Sequence, residues 1–257
     1  LEVAHKAEDA VSQIYLLYAL GRVHLRAGDN ERARELYSEA LDLSQQVGER
    51  WMAMNVLVAL SYVSDDVDAG PALEEMVGVL RQTGNRMMQI VWLRQLAHRR
   101  RMEGDHEGAK RAVDEALEIV KREATPEANV LGQYILGSHL DEAEKDYAGA
   151  LREFRNGLRA AHSQGSEWET TFGLTGVARM LARTGENERA TLLLGAAAAM
   201  QEKVGMMHPK GPRAEAQRKV TEVLGNALGE VELQRLRAEG RDMSLDEAVA
   251  LATEAAN

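Results

Sequence analysis

The chain has 257 residues, 45% apolar and 28% charged, with a formal charge of −10; this is soluble globular material with room for one or two domains, and its acidity disfavours nucleic acid or an anionic membrane as partner. Cysteine is absent, which excludes a disulfide framework, a thiolate zinc site and a cysteine nucleophile. Aromatics make up only 4% and there are four prolines, a mixture that favours helix over sheet, and no apolar run approaches the length of a membrane-spanning helix.

Leu1-Glu2-Val3-Ala4 reads like Leu41-Asp42-Leu43-Ser44 and Leu117-Glu118-Ile119-Val120, the back halves of two later amphipathic stretches. Residues 1–9 are therefore expected to be the tail of a preceding, interrupted repeat. Apolar residues of the Ile14–Leu20 stretch would then lie on an outer face open to self-association. Arginine outnumbers lysine 24 to 7, a bias that points to a GC-rich bacterial genome.

Residues 10–205 carry a repeat. Gly28-Asp29-Asn30-Glu31-Arg32-Ala33 returns as Gly104-Asp105-His106-Glu107-Gly108-Ala109, as Lys145-Asp146-Tyr147-Ala148-Gly149-Ala150 and as Gly185-Glu186-Asn187-Glu188-Arg189-Ala190. A degenerate copy runs from Asp65 through Ala69 and Leu73 to Gly84. The anchors Ala33, Ala69, Ala109, Ala150 and Ala190 are spaced by 36, 40, 41 and 40 residues. Glycine ends one helix in a left-handed conformation and aspartate caps the next. Apolar residues then recur at helical spacing, as in Ala33, Leu36, Tyr37, Ala40 and Leu41. One such pair cannot bury its apolar face alone, so five pairs are expected to stack.

The unit resembles the tetratricopeptide repeat. The first copy supplies Leu20-Gly21, His24, Ala33, Tyr37 and Ala40; the third supplies Leu96-Ala97, Ala109, Val113 and Ala116; the fourth supplies Ala150, Phe154 and Gly157. The resemblance implies an all-α, right-handed tetratricopeptide-like helical solenoid whose first helices line a concave groove. The spacing near 40 predicts first helices longer than those of the standard repeat.

Residues 206–257 are expected to form a C-terminal helical capping segment. Met206-Met207-His208-Pro209-Lys210-Gly211-Pro212 cannot be helix interior. Helices are predicted near 213–227, 230–239 and 245–255, the last opened by a capping box of Ser244 and Glu247. An ordered series runs through Leu194-Gly195-Ala196-Ala197-Ala198, Glu202-Lys203-Val204-Gly205, Ala227-Leu228-Gly229-Glu230, Ala238-Glu239-Gly240-Arg241 and Met243-Ser244-Leu245-Asp246-Glu247-Ala248-Val249-Ala250. It resembles the C-terminal tetratricopeptide-like region of large bacterial STAND-type regulators, many of them LuxR-like or SARP-like transcription factors. That resemblance implies a cytoplasmic, non-catalytic sensor or protein-interaction arm of a multidomain signalling or transcription regulator. The alternative is a free-standing tetratricopeptide scaffold or adaptor.

Carried over by register, the groove positions are Tyr15, Tyr18, Arg22 and Arg26 in the first unit and Trp51, Met54 and Tyr62 in the second. The third gives Arg94, His98 and Arg101, the fourth Ile135, His139 and Glu142, and the fifth Phe172, Thr175, Arg179 and Arg183. First helices sum to a charge of +3 and second helices to −9, so the groove is the relatively basic surface. Six arginines and one glutamate suit a protein or peptide partner with an acidic segment, or a small anionic effector.

No catalytic, cofactor-binding or metal-binding residue is assigned. No phosphate-binding loop of the G-x-x-x-x-G-K-[ST] type is present. His106-Glu107 begins like a metalloprotease helix, but the residue four after His106 is Lys110. Asp65-Asp66-Val67-Asp68-Ala69-Gly70 places Val67 and Ala69 at calcium-ligand positions, and reads instead as an acidic turn.

Overall fold

The computed structural model describes residues 10–64, 67–203 and 212–254, with the side chains of all of these except Arg26 and residues 212–217. The expectations for residues 1–9, for Asp65 and Asp66, and for residues 204–211 lie outside the described residues.

Thirteen α-helices and one π-helical turn follow one another, and no strand occurs among the described residues. The first five form α1 (Ala10–Ala27), α2 (Asn30–Val47), α3 (Arg50–Leu60), α4 (Gly70–Thr83) and α5 (Arg86–Met102). Next come α6 (His106–Glu123), α7 (Pro126–His139), the π turn Leu140–Glu144, α8 (Tyr147–Ser163), α9 (Glu167–Thr184) and α10 (Asn187–Lys203). The chain ends with α11 (Pro212–Leu228), α12 (Glu230–Arg241) and α13 (Leu245–Thr253). Each helix packs on the next through α10, giving five antiparallel pairs in an all-α tetratricopeptide-like solenoid. Successive first helices touch, α1 with α3, α5 with α7 and α7 with α9, whereas contacts between successive second helices are slight or absent. The first helices therefore form the inner, concave side.

The local chemistry explains the helix boundaries. Asp29, Asp105 and Asp146 each accept a hydrogen bond from the backbone N–H three residues on, satisfying a donor the helix itself cannot. Gly28, Gly104 and Gly185 turn the chain between paired helices with φ of 88°, 83° and 89°. In the fourth unit Lys145 takes that place at φ 59°, a conformation costly for a residue with a Cβ.

Two register differences correct the sequence reading. Ala33, Ala109, Ala150 and Ala190 each donate their N–H to the carbonyl of the residue that caps the second helix, Asp29, Asp105, Asp146 and Glu186 respectively. In the second unit Leu73 does so, to Ala69, so Leu73 is the structural anchor and Ala69 lies one turn before it. In the fourth unit the π turn absorbs one extra residue. Gly21 lies against Tyr37, and Gly137 lies in the same way against Phe154. Gly137 stands 13 residues before Ala150, whereas Gly21 stands 12 before Ala33. Tyr134 and Ser138 thus correspond to Tyr18 and Arg22, and Ile135 and His139 are each displaced by one.

The apolar core follows the stack as a series of neighbouring clusters. Ile14, Leu17, Tyr37 and Val56 join units one and two; Leu73, Ile90, Val113 and Ile135 join units two to four; Phe154, Leu174, Leu193, Leu233 and Val249 join units four and five to the cap. The cap docks by close backbone approach. A Cβ on Gly240 would stand 2.0 Å from the Leu192 carbonyl oxygen, and one on Gly195 would stand 2.3 Å from that of Arg237. α13 then folds back onto α8 and α10. Arg155 and Arg159 of α8 donate to the carbonyls of Ala252 and Thr253, and Arg189 of α10 donates to those of Leu251 and Glu254. Three cations thereby meet the negative end of the α13 dipole. The predicted capping box of Ser244 and Glu247 is present in both directions.

Candidate functional site

The concave face divides into two chemically different halves. In the C-terminal half, the arginines of the third and fifth units meet the acids of the fourth. Arg101 contacts Glu142 at 2.6 Å, and His98 lies 3.9 Å from the same carboxylate. Arg179 Nε lies 3.1 Å from Asp141 Oδ2 and Arg183 Nε lies 3.3 Å from Asp141 Oδ1. These are charge contacts more than aligned hydrogen bonds, since Asp141 Oδ1 and Arg179 Nε have no hydrogen-bond partner. Asp141 is buried, its side chain only 2% exposed.

The π turn places both acids. Asp141 and Glu142 belong to it, and the wider turn carries the pair into the space between α5 and α9. Burial pushes the Glu142 carboxyl up, but His98, Arg101 and Arg179 outweigh burial and hold it at about 2. His139 lies 3.3 Å from Glu144. The guanidinium of Arg94 lies over Phe172, 5.4 Å from the ring centroid, and Phe172 packs on Tyr134 with centroids 5.1 Å apart. Burial raises the Tyr134 phenol, whose hydroxyl donates to the Glu169 carbonyl at 2.7 Å.

This arrangement corrects the expectation of six groove arginines awaiting an anion. Arg101, Arg179 and Arg183 already face carboxylates on the neighbouring first helix. They hold units three to five together across the groove.

The N-terminal half is different. Tyr15 is 51% exposed, and the Arg22 guanidinium lies over the Tyr18 ring at 5.9 Å. Arg22 makes no ion pair among the described residues. Burial raises the Tyr18 phenol, Arg22 opposes the change, and Tyr62 adds to it, which places Tyr62 beside the pair. Arg26 belongs to α1, but its side chain falls outside the described residues. Trp51 is half-buried between two core clusters, and Met54 is core, 5% exposed, at the place in its helix that Ile14 holds in α1. Ile135 is likewise buried, and Thr175 is bonded to Thr171 and Gln201. Trp51, Met54 and Ile135 therefore belong to packing.

Sequence reasoning missed Asp141, which carries two arginines, and Tyr134, which carries Phe172. One signal was available: the 41-residue spacing from Ala109 to Ala150, one longer than the next, falls where the π turn occurs. It also missed a cavity of about 510 Å³ between α6, α7 and α8, lined by Leu117, Val120, Leu136 and Ala160 among others. Among the described residues no cluster of histidine, aspartate and glutamate could hold a metal ion, and no helix is long and apolar enough to cross a membrane.

Residues 14–46 match the tetratricopeptide repeat family. The match covers α1 from Ile14 onward, with Tyr15, Tyr18 and Arg22, and nearly all of α2. No curated protein matches the chain. The repeat and the all-helical stack are those of a protein-interaction scaffold, a fold type typically without catalytic activity of its own.

Proposed function

We propose that the chain is a regulatory interaction arm that binds a segment of a partner protein along its first-helix face, anchored in the first two units. The observation that carries this reading is the cluster of Tyr15, Tyr18, Arg22 and Tyr62. It joins an exposed aromatic ring to an arginine that makes no ion pair among the described residues. Aromatic rings supply contact area at low entropic cost and arginine supplies planar donors, the combination most often dominant in interfaces. The preferred partner segment is acidic, with an apolar residue to cover Tyr15. The resemblance of the C-terminal series from Leu194 to Ala250 to STAND-type regulators supports an arm that controls an output domain in a multidomain bacterial protein.

Peptide-display selection against the immobilised protein tests the site. Selected sequences should be enriched in aspartate and glutamate next to an apolar residue. They should lose binding to a Tyr15→Ala, Arg22→Glu double variant. Selection of sequences that bind the double variant equally well contradicts the reading.

A further inference from the structure

The fourth unit departs from its neighbours at one core position. Gln133 stands four residues before Gly137, as Leu17 stands four before Gly21. It is the eighth residue of α7, and the eighth residue is Leu57 in α3, Leu93 in α5 and Leu174 in α9. Leu17, Leu93 and Leu174 are buried core, and Leu57 packs against core. Where the other first helices carry a leucine, the fourth unit carries an amide. The Gln133 Oε1 atom is buried and has no hydrogen-bond partner among the described residues. A buried acceptor left unpaired is destabilising, and such atoms in folded proteins are nearly always satisfied.

The same side chain lines the cleft of about 510 Å³ between α6, α7 and α8. The apolar walls are Leu117 and Val120 of α6, Leu136 of α7 and Ala160 of α8. No charged side chain lines the cleft; apart from Gln133, its polar side chains are the amides of Asn129 and Gln164. The cleft lies inside the stack, with described units on either side of it. Sites for small molecules have this character, apolar with a few placed polar groups.

We infer that this cleft binds a small neutral molecule with an apolar body and a hydroxyl group, the hydroxyl bonded to the side chain of Gln133. The walls select the apolar body, the uncharged lining disfavours an ion, and the unpaired carbonyl oxygen calls for a donor. A hydroxyl both donates and accepts, so it suits the amide in either orientation. The occupant touches α6 and α8, second helices whose direct contacts are slight or absent, and so ties units three and four together. This inference is independent of the groove reading, because Tyr15, Arg22 and Tyr62 belong to the first two units.

Fluorescence titration with β-naphthol, its methyl ether and β-naphthoate tests the site. The original protein should bind β-naphthol at least about tenfold more tightly than the ether, which has no donor, or the carboxylate, which is charged. Gln133→Leu, which restores the residue of the other first helices, should lose this preference and unfold at a higher urea concentration than the original protein. Ala160→Trp should fill the cleft and stop binding, with helicity unchanged by circular dichroism. The Tyr15→Ala, Arg22→Glu variant should bind β-naphthol as the original protein does, whatever becomes of its peptide binding. Absence of saturable β-naphthol binding overturns the inference, as does an affinity and preference unchanged in Gln133→Leu. Loss of β-naphthol binding in the Tyr15 and Arg22 variant would place the probe in the groove, and overturns it equally.

Discussion

At the residue scale, Glu142 concentrates the electrostatics of the concave face. Its folded value of about 2 lies below the ordinary 4.5, because His98, Arg101 and Arg179 together outweigh its burial. A carboxyl whose folded value is depressed contributes stability that is fully present above 4.5 and is lost as pH falls toward 2. Glu142→Gln should therefore be less stable than the original protein at neutral pH, and its stability should fall less steeply between those two values. Urea titrations over a pH series will check this; parallel pH profiles for the two proteins would mean that Glu142 is not held by its cations. Arg101 would lose the carboxylate it pairs with in that variant. Arg101, Arg179 and Arg183 belong to first helices, α5 and α9. The sequence did not reveal their partners, because ion pairing depends on distances between helices more than 30 residues apart along the chain, as between Arg179 and Asp141.

At the element scale, helix pairing was legible wherever a small anchor follows a capping aspartate. Ala109 is 2% exposed where α6 meets its neighbours, and Ala109→Leu should cost about 1–3 kcal/mol by overpacking, readable as a lower urea midpoint. The same logic failed in the second unit. There no aspartate caps α4, and an alanine one turn early imitates the anchor that Leu73 supplies. It slipped again by one residue in the fourth unit, where a π turn is invisible to a reading based on constant helical periodicity. The cap shows the opposite case. Its three helices and its capping box were predicted within about two residues of their observed ends, the usual uncertainty of helix boundaries, but the arginines that hold α13 were not foreseen. Arg189→Met should release the carbonyls of Leu251 and Glu254 and speed amide exchange across α13 while leaving α1 to α6 protected. Gly240→Ala should have a similar but larger effect, because its Cβ would collide with the Leu192 carbonyl and part α12 from α10. Unchanged exchange in α13 in both variants would show that the cap is held by other contacts.

At the scale of the whole molecule, successive apolar clusters run from α1 to α13, and the inner face is assembled from one helix of each pair. The composition and the repeat made that architecture readable, since a stack of pairs is the simplest way to bury five identical apolar faces. Function was less legible, because the charge of a face does not say which of its cations are already engaged. Three of the six groove arginines answer to Asp141 and Glu142, which is why the proposed binding surface lies on the first two units. The most direct test is calorimetric titration of an acidic peptide, obtained by selection on the original protein, into three proteins at low and at high salt. The affinity for the original protein should fall as salt rises, because exposed charge contacts are screened. The Tyr15→Ala, Arg22→Glu variant should lose binding, while Arg183→Glu should bind nearly as the original protein does. Loss of binding in Arg183→Glu with full retention in the Tyr15 and Arg22 variant would contradict the account and return the site to the C-terminal half of the groove.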